Sequence, residues 1–79
     1  MLMTNKSFID SEDVLDVEFA IKNAEEYQTI EELANEIKKS KKLVERIVFY
    51  LQEKNRVILN KEKKIIWIYQ PELIKNAVF

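Results

Sequence analysis

Residues 29–56 read TIEELANEIKKSKKLVERIVFYLQEKNR, and the first four of them mark the start of a helix. Thr29 and Glu32 form a capping box, in which the threonine hydroxyl accepts a hydrogen bond from the amide three residues later and the glutamate reaches back. These two side chains satisfy backbone amides that a helix start otherwise leaves without partners. Apolar residues follow at helical spacing as far as Ile37, which predicts a helix over residues 30–38.

A second helix start follows within a few residues. Ser40 is an N-cap candidate, and the apolar residues after it predict a helix over residues 41–54. The apolar stripe of this helix consists of Leu43, Val44, Ile47, Val48 and Leu51. Two short helices joined so closely must cross at a steep angle, which is the geometry of a helix-turn-helix.

The chain changes its hydrophobic period after Asn55, which stands where a helix often ends with a left-handed residue. Residues 56–59 and 64–69 are rich in β-branched and aromatic residues, and a polar turn over 60–63 separates them. This pattern predicts a β-hairpin. A hairpin alone is marginally stable in water, so we expect it to pack on the helices.

The flanking segments complete an α+β domain that spans residues 1–79. Asp10 or Ser11 is expected to cap a first helix, which ends near residues 24–26. Its apolar stripe consists of Val14, Val17, Ile21 and Ala24, widened by Leu15 and Phe19. Residues 1–9 are interpreted as an N-terminal arm, and Pro71 is expected to open a short last helix over 72–78.

The composition argues against several classes of protein. The chain has no cysteine and no histidine, which removes thiolate metal sites, disulfides and the commonest general base. We find no glycine-rich phosphate loop and no nucleophile–base pair, so we predict no enzyme activity, no cofactor and no metal site. No signal peptide or membrane-spanning run is evident, and a cytoplasmic location is expected.

The small net charge of −1 hides a strong polarity along the chain. Residues 1–37 contain ten acidic residues and two lysines, whereas residues 38–64 contain ten basic residues and three glutamates. A domain divided in this way is expected to have an acidic side and a basic side.

The stretch from Tyr27 to Tyr69 resembles the winged helix-turn-helix DNA-binding domains of bacterial and archaeal transcription regulators. The residues that carry the resemblance are Thr29, Glu32-Leu33-Ala34, Ile37, Ser40, Val44, Arg46, Leu51 and Asn55-Arg56-Val57. The resemblance implies a three-helix helix-turn-helix core with a two-stranded β-hairpin, Val57 to Tyr69, as the wing. It also implies binding to double-stranded DNA.

In that family the third helix lies in the major groove and the wing contacts an adjacent groove or the backbone. The implied DNA-contacting residues are Lys38, Lys39, Ser40, Lys41, Lys42, Glu45, Arg46 and Phe49, with Lys61, Lys63 and Lys64 on the wing. Helical spacing, independently of the resemblance, predicts that this face of the third helix points outward. Lys42, Arg46 and Phe49 fall opposite the apolar stripe of that helix.

Several side chains keep alternative interpretations. Arg46 either reads a guanine edge, stacks on Phe49 or Tyr50, or is solvated. The lysines either contact phosphates or form a solvated cluster. Phe49 departs from the polar residue usual in the family: it contacts a thymine methyl group, folds under the wing, or belongs to a protein interface. Trp67 and Tyr69 are expected to be core residues rather than a platform for stacked bases.

The predicted function is that of a small transcriptional regulator that binds DNA as a homodimer, because one such module offers little contact area. The surfaces available for dimerisation are the first helix, the arm and the C-terminal segment 71–79. The alternative is a winged-helix module that binds a protein partner through Phe49 and Tyr50, without DNA.

Overall fold

The structure, a computed structural model, describes residues 9–69. Within these residues, three helices and three short strands follow one another along the chain. They are α1 (Ser11–Asn23), β1 (Gln28–Thr29), α2 (Ile30–Ile37), α3 (Lys41–Glu53), β2 (Val57–Leu59) and β3 (Lys64–Trp67). The strands form one antiparallel sheet in the order β1-β3-β2. The fold is therefore α+β, as predicted.

Each helix begins at a side-chain cap that the sequence indicated. Asp10 Oδ1 accepts from the Glu12 amide at 3.1 Å, and Ser40 Oγ accepts from the Leu43 amide at 3.1 Å. At α2 both halves of the capping box are present, since the Glu32 amide donates to Thr29 Oγ1 and the Thr29 amide donates to Glu32 Oε1. The predicted helix starts are thus confirmed, and the choice between Asp10 and Ser11 falls on Asp10.

The core lies where the three helices meet the sheet. Its buried residues are Val17, Leu33, Ala34, Val44, Ile47, Val48, Leu51, Val57 and Ile65. α3 contributes four of these residues, more than any other element, and is therefore held on one side along most of its length. Trp67 packs against the core while Ile68 is exposed, so the prediction of an inward Trp67 is confirmed.

Two apolar residues of α1 do not join the core. Leu15 and Phe19 were expected to widen the buried stripe, but they are 62% and 68% exposed. The buried side of α1 is centred on Val17, and Leu15 and Phe19 lie on the opposite side of the helix at 100° per residue. Only the narrower apolar stripe of α1, without Leu15 and Phe19, faces the core.

The sheet contains a strand that the sequence pattern did not predict. β1 pairs with β3 in the register Gln28↔Ile65 and Thr29↔Lys64, which makes β3 the central strand of three. Two residues are too short to show a period, so no alternation could reveal this strand. The extended backbone of Thr29, with φ −74° and ψ 167°, allows it both to pair with β3 and to cap α2.

Among residues 9–69, three turns contain a residue with positive φ, and none of these residues is glycine. Asn55 has the left-handed conformation expected for it, at φ 61°. Lys38 and Lys63 share this conformation, at φ 61° and 65°, and the sequence did not single them out. A residue with a Cβ atom adopts it at a cost of about 1–2 kcal/mol, which the surrounding hydrogen bonds must offset.

The predicted arm over 1–9 and the predicted last helix over 72–78 concern the ends of the chain. Residues 1–8 and 70–79 lie outside the described part, so both stay predictions. Between residues 9 and 69, none of the helices has the length and apolar composition needed to cross a membrane.

Replacing Lys38 with glycine should raise the free energy of unfolding by roughly 0.5–1 kcal/mol, because glycine reaches positive φ without a Cβ penalty. Lys42→Gly is the matched control: it removes the same charge from inside α3 and should lower stability by about 0.5–1 kcal/mol. Urea denaturation of both variants measures the two changes. Destabilisation by Lys38→Gly would contradict the left-handed turn.

Candidate nucleic-acid interface

The outward face of α3 carries Lys42, Arg46, Phe49 and Glu53, all of which are exposed. The four buried residues of the helix lie on its other side, so the direction of this face is fixed by the core. Lys42 and Arg46 are one turn apart and thus neighbours on the surface. The face is positive in its first two turns and ends with a glutamate.

The connection between α2 and α3 supplies further basic residues. Lys38 and Lys41 are exposed on either side of the Ser40 cap. Lys38 ends α2, and its amide donates to the Ala34 carbonyl, as does the amide of Lys39 at 3.1 Å. Ser40 itself has its hydroxyl engaged with the Leu43 amide, so its structural role as the cap of α3 is established.

Lys39 lies apart from the other lysines of this segment. Its ammonium is 2.9 Å from Asp13 Oδ1 and 3.4 Å from Asp16 Oδ2, both on α1. The hydrogen bond to Asp13 raises the pKa of Lys39 above its ordinary value of 10.5, and Asp16 adds to the effect, while desolvation acts in the opposite direction. Lys39 was grouped with the DNA-contacting residues, but the structure directs it towards α1.

The hairpin presents its lysines from a tightly held turn. Asn60 Oδ1 accepts hydrogen bonds from the amides of Glu62 and Lys64, both at 2.9 Å. This arrangement leaves Lys61 and Lys63 exposed, whereas Lys64 is half-buried at the start of β3. The Lys64 ammonium lies 3.8 Å from Glu62 Oε1. Lys61 and Lys63 are accordingly the more accessible cations of the three.

A groove of about 590 Å³ separates α3 from the hairpin. Its lining residues are Thr29, Ile30, Glu31, Lys41, Glu45, Phe49, Leu59, Glu62 and Lys63. Phe49 shares the groove with Ile30 and Leu59 and is 48% exposed. Glu45 is half-buried in the same groove. The groove therefore combines an apolar strip with carboxylates and ammonium groups.

Tyr50 lies about 100° around α3 from Phe49 and lines a different groove. It is 40% exposed, the Lys54 ammonium lies 5.6 Å from its ring centre, and it lines a second groove with Val14 and Leu15 of α1. The alternative function, binding of a protein partner, was assigned to Phe49 and Tyr50 together. The structure assigns them to different grooves.

Acidic residues gather around the end of α1 and the start of α2. Glu25, Glu26, Glu32 and Glu36 line a separate groove to which α3 contributes no residue. Gln28 Nε2 donates to Glu36 Oε1 there at 2.6 Å. Among residues 9–69 no group of three histidine, cysteine, aspartate or glutamate side chains is arranged to hold a metal ion.

Comparisons with protein-family models, with curated proteins and with solved structures find no match for this chain.

Replacing Lys39 with methionine should lower the melting temperature, because Asp13 and Asp16 lose their cation. Lys41→Met removes the same charge from the other side of Ser40 and should change the melting temperature little. A group whose folded-state pKa is raised stabilises the fold below its ordinary pKa, and that contribution is lost as the pH rises through the raised value. The difference between the two variants, followed by thermal unfolding, should persist up to about pH 10 and shrink above 10.5. A pH-independent difference would mean that lost packing, and not the ion pair, is responsible.

Proposed function

We propose that this chain is a winged helix-turn-helix protein that binds double-stranded DNA, with α3 in the major groove, and acts as a small transcriptional regulator. The observation that carries the proposal is the outward face of α3, where Lys42 and Arg46 stand opposite a fully buried side. The element order supports the fold assignment, because two helices joined by a short connection are followed by an antiparallel hairpin that lies beside α3.

The side chains divide into two roles under this proposal. Arg46 lies on the face that would meet base edges, and its guanidinium has the donor geometry to contact O6 and N7 of guanine. Lys38, Lys41 and Lys42 flank the start of α3 and contact phosphates, which fix position and supply affinity but no sequence information. Lys61 and Lys63 reach the backbone from the hairpin. Lys39 is outside this set because its ammonium is engaged by α1.

The second candidate function is protein binding at the groove between α3 and the hairpin. The specific observation in its favour is the strip of Phe49, Ile30 and Leu59 bordered by Glu31, Glu45 and Glu62. Three carboxylates in a groove beside the proposed DNA surface repel phosphates and suit a partner with basic and apolar side chains. DNA binding is preferred because exposed lysines also lie outside the groove, at Lys38, Lys42 and Lys61.

Binding to a mixed-sequence duplex, titrated from about 50 to 200 mM salt, tests the proposal directly. Each phosphate contact contributes about 0.9 to the slope of log K against log salt. Lys42→Ala should reduce the slope by about that amount, and Lys61→Ala with Lys63→Ala by about twice as much. Lys39→Ala is the matched control and should leave the slope unchanged. Absence of binding at about 50 mM salt would overturn the DNA function and favour the groove.

Arg46→Ala tests base reading separately, once a preferred site has been selected from random duplexes. The variant should lose about 1–3 kcal/mol of binding to the preferred site and much less to unrelated DNA. Lys42→Ala is the comparison, since loss of a phosphate contact should weaken binding to both duplexes alike. Equal losses for Arg46→Ala on the two duplexes would assign Arg46 to the backbone.

A further inference from the structure

The outward face of α1 exposes the two least buried large apolar side chains in the described part of the protein. These are Leu15 and Phe19, which are 62% and 68% exposed. They are four residues apart on one helix and therefore adjacent on its surface. The structure buries neither of them against its own core.

Two charged residues extend this face in both directions. Glu12 lies three residues before Leu15 and Lys22 three residues after Phe19, and both are exposed. Spacings of three, four and three residues keep all four side chains within one narrow stripe. The resulting order along the helix is acidic, apolar, apolar, basic. The two apolar residues lie at the centre of the stripe, and its two ends carry opposite charges.

A stripe of this kind is complementary to itself. If two copies of α1 pack antiparallel about a two-fold axis that passes between Leu15 and Phe19 on the exposed side of the helix, Leu15 of one chain meets Phe19 of the partner subunit. Glu12 then meets Lys22 of the partner subunit, and the same contact recurs on the other side of the axis. Antiparallel packing also brings the positive end of each helix dipole beside the negative end of the other. A parallel pairing would place like charges together and is disfavoured.

We propose that the stripe formed by Glu12, Leu15, Phe19 and Lys22 is a homodimer interface, with a second copy of this chain as its occupant. The inference does not depend on DNA binding. The charge pattern favours a second copy over an unrelated partner, because both ends of the stripe are satisfied by the stripe itself. The Lys22 ammonium lies 5.2 Å from the centre of the Trp67 ring, and Lys22 is exposed as a residue.

The interface is small. A helix of thirteen residues is about 20 Å long, and a single helix pair buries less than the roughly 800 Å² per partner of a standard interface. The dimer is therefore expected to exchange rapidly with monomer and to form in the micromolar range or above. On DNA, two copies at neighbouring half-sites would hold this interface at high effective concentration.

Charge reversal provides a specific test by sedimentation equilibrium of the full chain, from about 10 µM to 1 mM at low salt. Glu12→Lys alone and Lys22→Glu alone should each weaken dimerisation about tenfold, because two attractive contacts per dimer become repulsive. An equimolar mixture of the two variants should associate as well as the unchanged protein, since every end contact again joins a lysine to a glutamate. Circular dichroism checks that each variant is folded.

Matched controls keep the result specific. Glu26→Lys and Lys61→Glu make the same changes in net charge at exposed positions away from the stripe, and they should leave the association constant unchanged. Phe19→Asp should abolish association while the chain stays folded. The proposal is overturned if the protein is monomeric at every concentration. It is also overturned if the charge reversals on α1 leave the association constant unchanged, or if the mixture of the two variants does not restore association.

Discussion

The three residues between α2 and α3 determine how the rest of this small domain is arranged. Lys38 turns the chain through a left-handed conformation, Lys39 binds the carboxylates of α1, and Ser40 starts α3 by capping it. The turn sets the angle between α2 and α3. The ion pairs of Lys39 hold this turn against α1. Because these roles fall on consecutive residues, a change in the conformation of one alters the direction in which α3 leaves the turn.

The direction of α3 then decides which side chains face solvent. Four of its residues are buried, and burial of side chains of this size contributes about 1.5–3 kcal/mol each relative to exposure. Rotating the helix to present another face would expose these residues. The outward direction of Lys42 and Arg46 thus follows from the burial of Val44, Ile47, Val48 and Leu51 on the other side of the helix.

Features encoded by neighbouring residues could be predicted from the sequence, and features that depend on distant contacts could not. The caps at Thr29 and Ser40 and the left-handed Asn55 are local and were predicted, and the cap of α1 was narrowed to Asp10 or Ser11. β1 was missed because it exists only through pairing with β3, whose residues follow it by more than thirty positions. The exposure of Leu15 and Phe19 depends on how little of α1 the other elements cover, which no period in α1 can show.

Lysines that are equivalent in the sequence differ in what they can bind. The segment from Lys38 to Lys42 contains four lysines, yet one of them is held by Asp13 and Asp16. Further along the chain, Arg56 Nη1 lies 3.8 Å from Glu18 Oε2, and Arg56 Cζ lies 4.4 Å from the centre of the Tyr69 ring. Arg56 therefore also contacts α1. The basic residues of the second half therefore divide between holding α1 in place and facing outward. Counting charges along the chain sets an upper limit on phosphate contacts, and Asp13 and Asp16 of α1 lower it by engaging Lys39, which was predicted to contact DNA.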